Sequence, residues 1–225
     1  MQSIPVIAID GPSGSGKGSV AGRVSKALGY HLLDSGVLYR VLGLAARLRN
    51  VDLQQDQAVA ELARTLDIAF GENGPGSVSL DGKDVSIDIR TSLGSDMASR
   101  VGAIPAARAA LLERQLMFRQ APGLVADGRD MGTVVFPDAA VKIFLTASVE
   151  ERAQRRYKQL IGKGIDAILS ALLSDLKERD ERDRERAVSP LLPATDAEFL
   201  DTTEMSEEAT VLRVLELVQT GLPNP

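Results

Sequence analysis

One segment near the start of the chain organises the rest: Val6-Ile7-Ala8-Ile9-Asp10-Gly11-Pro12-Ser13-Gly14-Ser15-Gly16-Lys17-Gly18-Ser19. The apolar, mostly β-branched residues before Asp10 predict a buried strand. The spacing Gly-x-x-x-x-Gly-Lys follows from Gly11 to Lys17, and apolar residues then recur at helical spacing as far as Leu28. A strand, a glycine-rich loop and a helix in this order are typical of a P-loop, whose backbone N–H groups and helix N-terminus bind phosphate.

The loop predicts a site for a nucleoside triphosphate, with Lys17 reaching the β- and γ-phosphates as a candidate catalytic residue. Gly18 stands where Ser or Thr usually holds Mg²⁺, and a hydroxyl follows only at Ser19, so the direct metal ligand stays open. Asp127, at the end of a predicted strand, is the other candidate, although a carboxylate there can also simply cap a turn. The loop residues predicted to bind the triphosphate are Gly11, Pro12, Ser13, Gly14, Ser15, Gly16, Lys17, Gly18 and Ser19.

Composition limits the class of protein. The chain has 225 residues, of which 44% are hydrophobic, and this is enough for one sizeable core with a lobe inserted into it. A net charge of −5 argues against a protein whose main role is to coat nucleic acid. The absence of cysteine excludes disulfides and thiolate sites, and no apolar run of about 20 residues predicts a membrane span. We therefore expect a soluble, cytoplasmic protein.

Apolar strands alternate with amphipathic helices along most of the chain, which predicts an α/β fold. Between residues 66 and 87 the pattern changes to short strands, and Asp81-Gly82 is a favoured hairpin turn, so we expect a small antiparallel sheet there. Ser148 with Glu151, and later Ser206, predict capped helix starts. Taken together, these patterns predict a single domain over residues 1–225 with a lobe inserted at 36–116.

A second informative segment is Asp127-Gly128-Arg129-Asp130-Met131-Gly132-Thr133. Its glycines predict a loop, and a loop can direct two adjacent side chains into one cavity, which a regular helix or strand does not do. Arg129 can form a bidentate contact with a phosphate, and Asp130 can accept a hydrogen bond from an amino group. The two side chains can instead pair with each other.

Two further groups of charged residues have both a plain and a functional interpretation. Arg152, Arg155 and Arg156 share one face of a predicted helix, which is either solvated or part of a short lid, residues 152–165, that closes over phosphates. The run from Asp175 to Arg186 predicts a solvent-facing helix with ion pairs. Arg179, Asp183 and Arg186 share one face of that helix, however, and such a face also suits the wall of a site.

Together these segments resemble the bacterial cytidylate kinases. The resemblance covers nearly the whole chain, and the segment 127–133 is its most specific part. The residues that carry it are Gly11 to Ser19, Asp34-Ser35-Gly36-Val37-Leu38-Tyr39-Arg40, Ser99 through Arg108, residues 127–133 and Lys177 through Arg186.

The resemblance implies transfer of a phosphoryl group from ATP to CMP or dCMP with Mg²⁺. It implies a P-loop NTPase-type three-layer α/β sandwich with a five-stranded parallel sheet, a short lid and a small antiparallel insert on the monophosphate side. It further implies the following roles: Ser99, Arg108 and Asp130 read the cytosine; Arg40, Arg129 and Arg186 hold its phosphate; Arg179 and Asp183 contact the sugar; Ser35 joins the CMP site; Arg129 and Arg186 act with Lys17 in catalysis; and Arg152, Arg155 and Arg156 bind ATP.

Two other functions compete with this one. A P-loop kinase for another small acceptor would lack the predicted cytosine-reading residues. A nucleotide-dependent switch protein of the GTPase type should carry Asn-Lys-x-Asp for guanine, and the sequence contains none. We therefore expect small-molecule partners, ATP and CMP or dCMP, no nucleic acid, no membrane and a monomer.

Overall fold

A computed structural model describes residues 4–71, 76–162 and 164–222. The chain divides into two compact units, Met1–Asp34 with Leu116–Pro225, and Ser35–Gln115. Part of the predicted loop at 71–76, and Lys163 in the predicted lid, lie outside the described residues. The role predicted for residues 36–116, which is to bind the monophosphate, stays a prediction.

The first unit is built on a parallel sheet in the order β2-β6-β1-β7-β8, which confirms the predicted α/β class with five parallel strands. The strands are β1 (Val6–Asp10), β2 (His31–Asp34), β6 (Leu124–Gly128), β7 (Val141–Thr146) and β8 (Glu198–Asp201). The helices are α1 (Lys17–Leu28), α6 (Val149–Ile161), α7 (Leu169–Arg184) and α8 (Glu207–Gly221), and a π-helical turn spans Met131–Val135.

The central strand β1 is completely buried, as its continuous apolar run predicts for a parallel sheet covered on both faces. Ile7 and Ile9 pack with residues of α1 and α8, such as Val24 and Val214, in one cluster. Val6 and Ala8, which alternate with them, are equally inaccessible. Because the five strands of this sheet are parallel, their carboxyl ends meet at one edge, and there β1 continues into the glycine-rich loop.

The second unit contains α2 (Ser35–Leu48), α3 (Asp56–Thr65), α4 (Ser92–Val101), α5 (Pro105–Leu116) and a small antiparallel sheet, β3 (Ile68–Phe70), β4 (Val78–Leu80) and β5 (Lys83–Asp84). Asp81 and Gly82 form the predicted hairpin turn, with φ angles of 51° and 73°. Positive φ at both central residues matches the right-handed twist of the flanking strands. The last strand of this sheet, β5, has two residues, and a 3₁₀ turn follows at Asp88–Arg90.

Local capping signals are also confirmed. The Ser148 hydroxyl accepts a hydrogen bond from the Glu151 N–H at the start of α6. The Ser206 hydroxyl likewise accepts one from the Ala209 N–H at the start of α8. The charged helix α7 is not uniformly solvent-facing, because Leu176, Asp180 and Asp183 are buried. None of the helices in the described residues is long and apolar enough to span a lipid bilayer.

Candidate active site

The P-loop runs close against the neighbouring strand β7. At Gly11 the φ angle is +150°, and a β-carbon placed there would lie 2.0 Å from the carbonyl oxygen of Leu145. Only glycine therefore fits at the point where the chain leaves β1. Gly16 is the cap position of α1, and the helix begins at Lys17. The N-terminus of α1 thus lies directly behind the loop, which is the arrangement that binds phosphate.

Lys17 lies inside this loop, with 5% of its surface exposed. Its ammonium group donates hydrogen bonds to the Pro12 carbonyl oxygen at 2.7 Å and to the Ser15 hydroxyl at 3.2 Å. Burial and the nearby positive charge of Arg129 lower the pKa of Lys17 to about 7, although Asp127 and Asp10 oppose the change. A phosphate bound beside Lys17 would favour the protonated, charged form of its side chain, so this environment suits a lysine that binds phosphate.

Two of the three predicted lid arginines reach the backbone of the P-loop. Arg152 is buried and donates to the Ser13 carbonyl oxygen at 2.9 Å, while its guanidinium forms a bidentate pair with Asp180 at 2.5 and 3.1 Å. Arg155 donates to the Thr202 carbonyl oxygen at 2.6 Å and lies 3.5 Å from the Ser15 carbonyl oxygen. These contacts fix the outer side of the loop from α6.

Arg156 lies differently from its two neighbours. Its guanidinium donates to the Gln159 side chain at 2.7 Å, along the surface of α6. Arg156 thus makes a hydrogen bond within α6, whereas Arg152 and Arg155 from the same helix donate to the backbone of the P-loop.

Oxygen ligands suitable for magnesium lie near the start of α1. The Asp127 carboxylate lies 3.4 Å from the place where a β-carbon on Gly18 would be, so the acid stands beside the position that carries a hydroxyl in other P-loops. The Ser19 residue is exposed on the next position. Among the described residues, no group of three or more His, Asp or Glu side chains is arranged to hold a metal ion. Mg²⁺ suits such a site, because it binds through one or two protein oxygens, waters and substrate phosphates.

A buried carboxylate pairs with three arginines of the first unit that are predicted for the CMP site. Asp183 is fully buried and pairs with Arg129 at 3.2 Å, with Arg179 at 3.9 Å and with Arg186. Burial alone would raise the pKa of Asp183, but the three guanidinium groups outweigh it and hold that pKa below its usual value. Guanidinium groups gathered in this way suit the binding of a phosphate group.

Asp130 and Arg129 stand at the junction of β6 and the π-helical turn. Asp130 is buried at the N-cap position of that turn, where its side chain makes no capping hydrogen bond. The carboxylate of Asp10 supplies the acceptors instead, taking the N–H groups of Met131 and Gly132, each at 2.8 Å. Sequence reasoning missed Asp10, although the rule that singled out Asp127, an acid at the end of a strand beside the P-loop, applies to it equally.

The second unit carries the remaining predicted CMP residues. Ser99 is 1% exposed on α4, and Arg108 is 8% exposed on α5. The Arg108 guanidinium donates to the Gly102 carbonyl oxygen at 3.1 Å and lies 5.4 Å from the centre of the Tyr39 ring, within the range of a cation–π contact. Ser35 is buried at the first position of α2, and Arg40 is half-buried on the same helix.

Within the first unit, the structure brings donor and acceptor residues into one electrostatic neighbourhood. The pKa of Lys17 responds to the charges of Arg129 and Arg179 as well as to Asp127. Lys17, predicted to meet the ATP phosphates, and Arg129, predicted to hold the CMP phosphate, are therefore close enough for their charges to interact. This proximity is what phosphoryl transfer between two nucleotides requires.

Comparison with known proteins gives the family. The family model for cytidylate kinase matches residues 7–220. The chain belongs to the cytidylate kinase family. A cytidylate kinase of Pseudomonas aeruginosa (strain UCBPP-PA14) is 57% identical over 95% of this chain and 94% of its own length, and one of Klebsiella pneumoniae (strain 342) is 54% identical over 98% and 97%.

A solved structure of an uncharacterized protein from Eubacterium ventriosum ATCC 27560 aligns with a TM-score of 0.50 at 14% identity. It covers 96% of this chain and 99% of that one. At this identity the likeness concerns the fold alone. Sequence and family together confirm the resemblance expected from the P-loop and the segment 127–133.

Proposed function

We propose that this chain carries out its family's reaction, the transfer of the γ-phosphoryl group of ATP to CMP or dCMP, with the P-loop as donor site and the Asp183 arginine cluster as part of the CMP site. The observation that carries the proposal is the match of the cytidylate kinase family model to residues 7–220, in which Lys17 is buried in the P-loop and Arg129 and Arg186 pair with Asp183. Phosphoryl transfer needs little covalent chemistry from the protein. It needs two phosphate groups aligned and their charge neutralised, and these side chains supply both.

Residues 11–19 would hold the ATP phosphates, with the Lys17 ammonium at the β- and γ-phosphates. Arg152 and Arg155 bind the backbone of the loop, so their contribution to ATP binding is to hold its shape. Arg156 lies on the surface of α6. We expect it to bind ATP as part of the predicted lid, residues 152–165. Asp127 and Ser19 would hold Mg²⁺, which when bound neutralises phosphate charge.

On the acceptor side, Arg129, Arg186 and Arg40 would hold the phosphate of CMP, and Arg179 and Asp183 would contact its sugar. Ser35 would complete this set. The lobe at 36–116 would serve as the monophosphate-binding part of the enzyme. We also propose that the chain works as a monomer in the cytoplasm.

Cytosine would be read by Ser99, Arg108 and Asp130. Cytosine presents an amino donor at N4 beside an acceptor at N3, and uracil reverses both. A carboxylate at Asp130 accepts from N4–H, but it faces O4 of uracil as acceptor against acceptor. Asp130 is only 3% exposed, so such a mismatch would be desolvated and costly.

The test is a coupled assay of ADP formation with CMP, dCMP, UMP, AMP, GMP and dTMP as acceptors. CMP and dCMP should give the highest kcat/KM. Asp130→Asn can turn its amide N–H toward O4, so the CMP/UMP ratio of kcat/KM should narrow by about tenfold, which corresponds to about 1.4 kcal/mol. Asp138→Asn, the same change at an exposed carboxylate paired with Arg119, serves as the control and should keep the ratio. An unchanged ratio in folded Asp130→Asn would place base recognition elsewhere.

A further inference from the structure

The carboxylate of Asp10 joins two segments that the proposed reaction assigns to different substrates. Asp10 is the last residue of β1 and directly precedes Gly11, the first residue of the P-loop. Its Oδ1 accepts the Met131 N–H and its Oδ2 accepts the Gly132 N–H, both at 2.8 Å. These hydrogen bonds are buried and link residues more than a hundred positions apart.

The two N–H groups open the π-helical turn that follows Asp130. The first N–H groups of a helical turn have no partner within the turn, and a capping side chain normally supplies an acceptor. Here Asp130 occupies the cap position but makes no capping hydrogen bond. Asp10 performs the capping from the neighbouring strand, with one oxygen for each N–H.

Two hydrogen bonds to adjacent residues fix the orientation of the peptide groups on either side of Met131. The first of these peptide groups links Asp130 to Met131, and Arg129 is the residue directly before Asp130. The direction in which both side chains leave the backbone therefore depends on this pair of bonds. Beside them, Gly132 has little spare room, because a β-carbon there would lie 3.2 Å from the Lys142 side chain and 3.4 Å from Asp10 Oδ2.

We propose that Asp10 is a positioning residue for acceptor recognition, which holds the Met131–Gly132 turn so that Arg129 and Asp130 face CMP. The proposal rests on the proposed function, because Arg129 and Asp130 are acceptor residues only in that reaction. It assigns a role on the acceptor side to a residue that lies, in sequence, directly before the donor loop.

The test is Asp10→Asn, compared with the unaltered chain and with Asp138→Asn as the matched control. The asparagine amide keeps one acceptor oxygen, so one of the two N–H groups would face another donor. We expect KM for CMP to rise about tenfold and the CMP/UMP ratio of kcat/KM to narrow about fivefold, as the loss of one buried hydrogen bond implies. KM for ATP should rise by a smaller factor than KM for CMP, because the loop glycines and Lys17 are unchanged and Asp10 acts on the pKa of Lys17 less strongly than Asp127 does.

A double variant separates positioning from a general structural effect. If Asp10 acts through Asp130, adding Asp10→Asn to Asp130→Asn should leave the CMP/UMP ratio almost where Asp130→Asn alone puts it. A change in KM for ATP alone, or an unaltered CMP/UMP ratio with a lower melting temperature, would overturn the proposal. Failure of the proposed function would look different, because the unaltered chain itself would then show no preference for CMP.

A measurement on the unaltered chain covers the case in which Asp10→Asn does not fold. The amide hydrogens of Met131 and Gly132 can be followed by hydrogen exchange in NMR spectra. Both should exchange at least about a hundred times more slowly than in an unstructured peptide, because each is buried and bonded to Asp10. Exchange of either amide at the unprotected rate would show that Asp10 does not hold the turn.

Discussion

The change Asp180→Asn tests how the donor loop is supported. Asp180 lies on α7 with 3% of its surface exposed, and both of its oxygens accept hydrogen bonds from the Arg152 guanidinium. Arg152 also donates to the carbonyl oxygens of Ser13 and Ala147. Its remaining polar atoms are therefore committed to the P-loop and to the start of α6.

The expected loss of stability follows from this burial. Removing one partner of a buried ion pair costs about 3–5 kcal/mol, because the other charge stays buried without compensation. Asparagine keeps one acceptor oxygen, so we expect the lower end, about 3 kcal/mol. For a chain of 225 residues this corresponds to a melting temperature lower by about 6–12 °C. Arg152 would hold Ser13 less firmly, and KM for ATP should rise.

The control variant lies one turn away on the same helix. Asp183→Asn makes the same chemical change in a fully buried carboxylate, but the partners of Asp183 are the acceptor-side arginines. Urea unfolding and steady-state kinetics with each substrate varied would compare the two variants. Asp180→Asn should raise KM mainly for ATP, and Asp183→Asn mainly for CMP. A stability loss below about 1 kcal/mol in Asp180→Asn, or a defect confined to CMP, would refute the reasoning.

Three further predictions concern the same unit. Lys17→Ala should lower kcat by about a hundredfold or more, because a cation is lost where transition-state charge develops; a folded variant with normal kcat would refute the P-loop role. Arg129→Lys keeps the positive charge but loses the planar guanidinium, so the fold decrease in kcat/KM for CMP should exceed the fold change in KM for ATP. An effect confined to ATP would instead assign Arg129 to the donor side. Asp10 and Asp183 should give opposite slopes of stability against pH. Burial raises the pKa of Asp10 to about 7, so its folded form binds the proton more tightly and stability falls as the pH rises from about 4 to 7. The pKa of Asp183 is lowered by its arginines against the effect of burial, so its contribution is present above about pH 4 and is lost as the pH falls further. Both slopes can be checked by measuring urea midpoints between pH 3 and 8 for the unaltered chain, Asp10→Asn and Asp183→Asn. Asp10→Asn should reduce the pH dependence of stability only between about pH 4 and 7, and Asp183→Asn only below about pH 4.

The elements that depend on neighbouring residues could be predicted from the sequence. The P-loop, the hairpin at Asp81-Gly82 and the caps at Ser148 and Ser206 each rest on a few adjacent positions. Turn conformation and helix capping depend on interactions among about one to four adjacent residues, so a short stretch of sequence is enough to predict them. The same holds for the buried run of β1, which needs only its continuous apolar character.

The partners of the buried charges could not be predicted in this way. The run from Asp175 to Arg186 contains several acids and bases, and nothing in their order shows which of them are buried. Asp180 meets Arg152 from another helix, and Asp183 meets Arg129 from the end of β6. These pairings depend on how helices and strands pack, which periodicity alone does not fix.

The position of α7 explains why a helix so highly charged has an ordered place in the fold. Asp180 and Asp183 are three residues apart, so both lie toward one side of the helix. One holds Arg152 and through it the Ser13 carbonyl of the donor loop, and the other holds Arg129 and Arg186. Arginines compensate the charge of each buried carboxylate, and each carboxylate in turn helps to orient the arginines that donate to it. A shift of α7 would therefore disturb the loop proposed to hold ATP and the arginines proposed to hold CMP together, so the same ion pairs that keep this helix in place couple the geometry of the two phosphate sites.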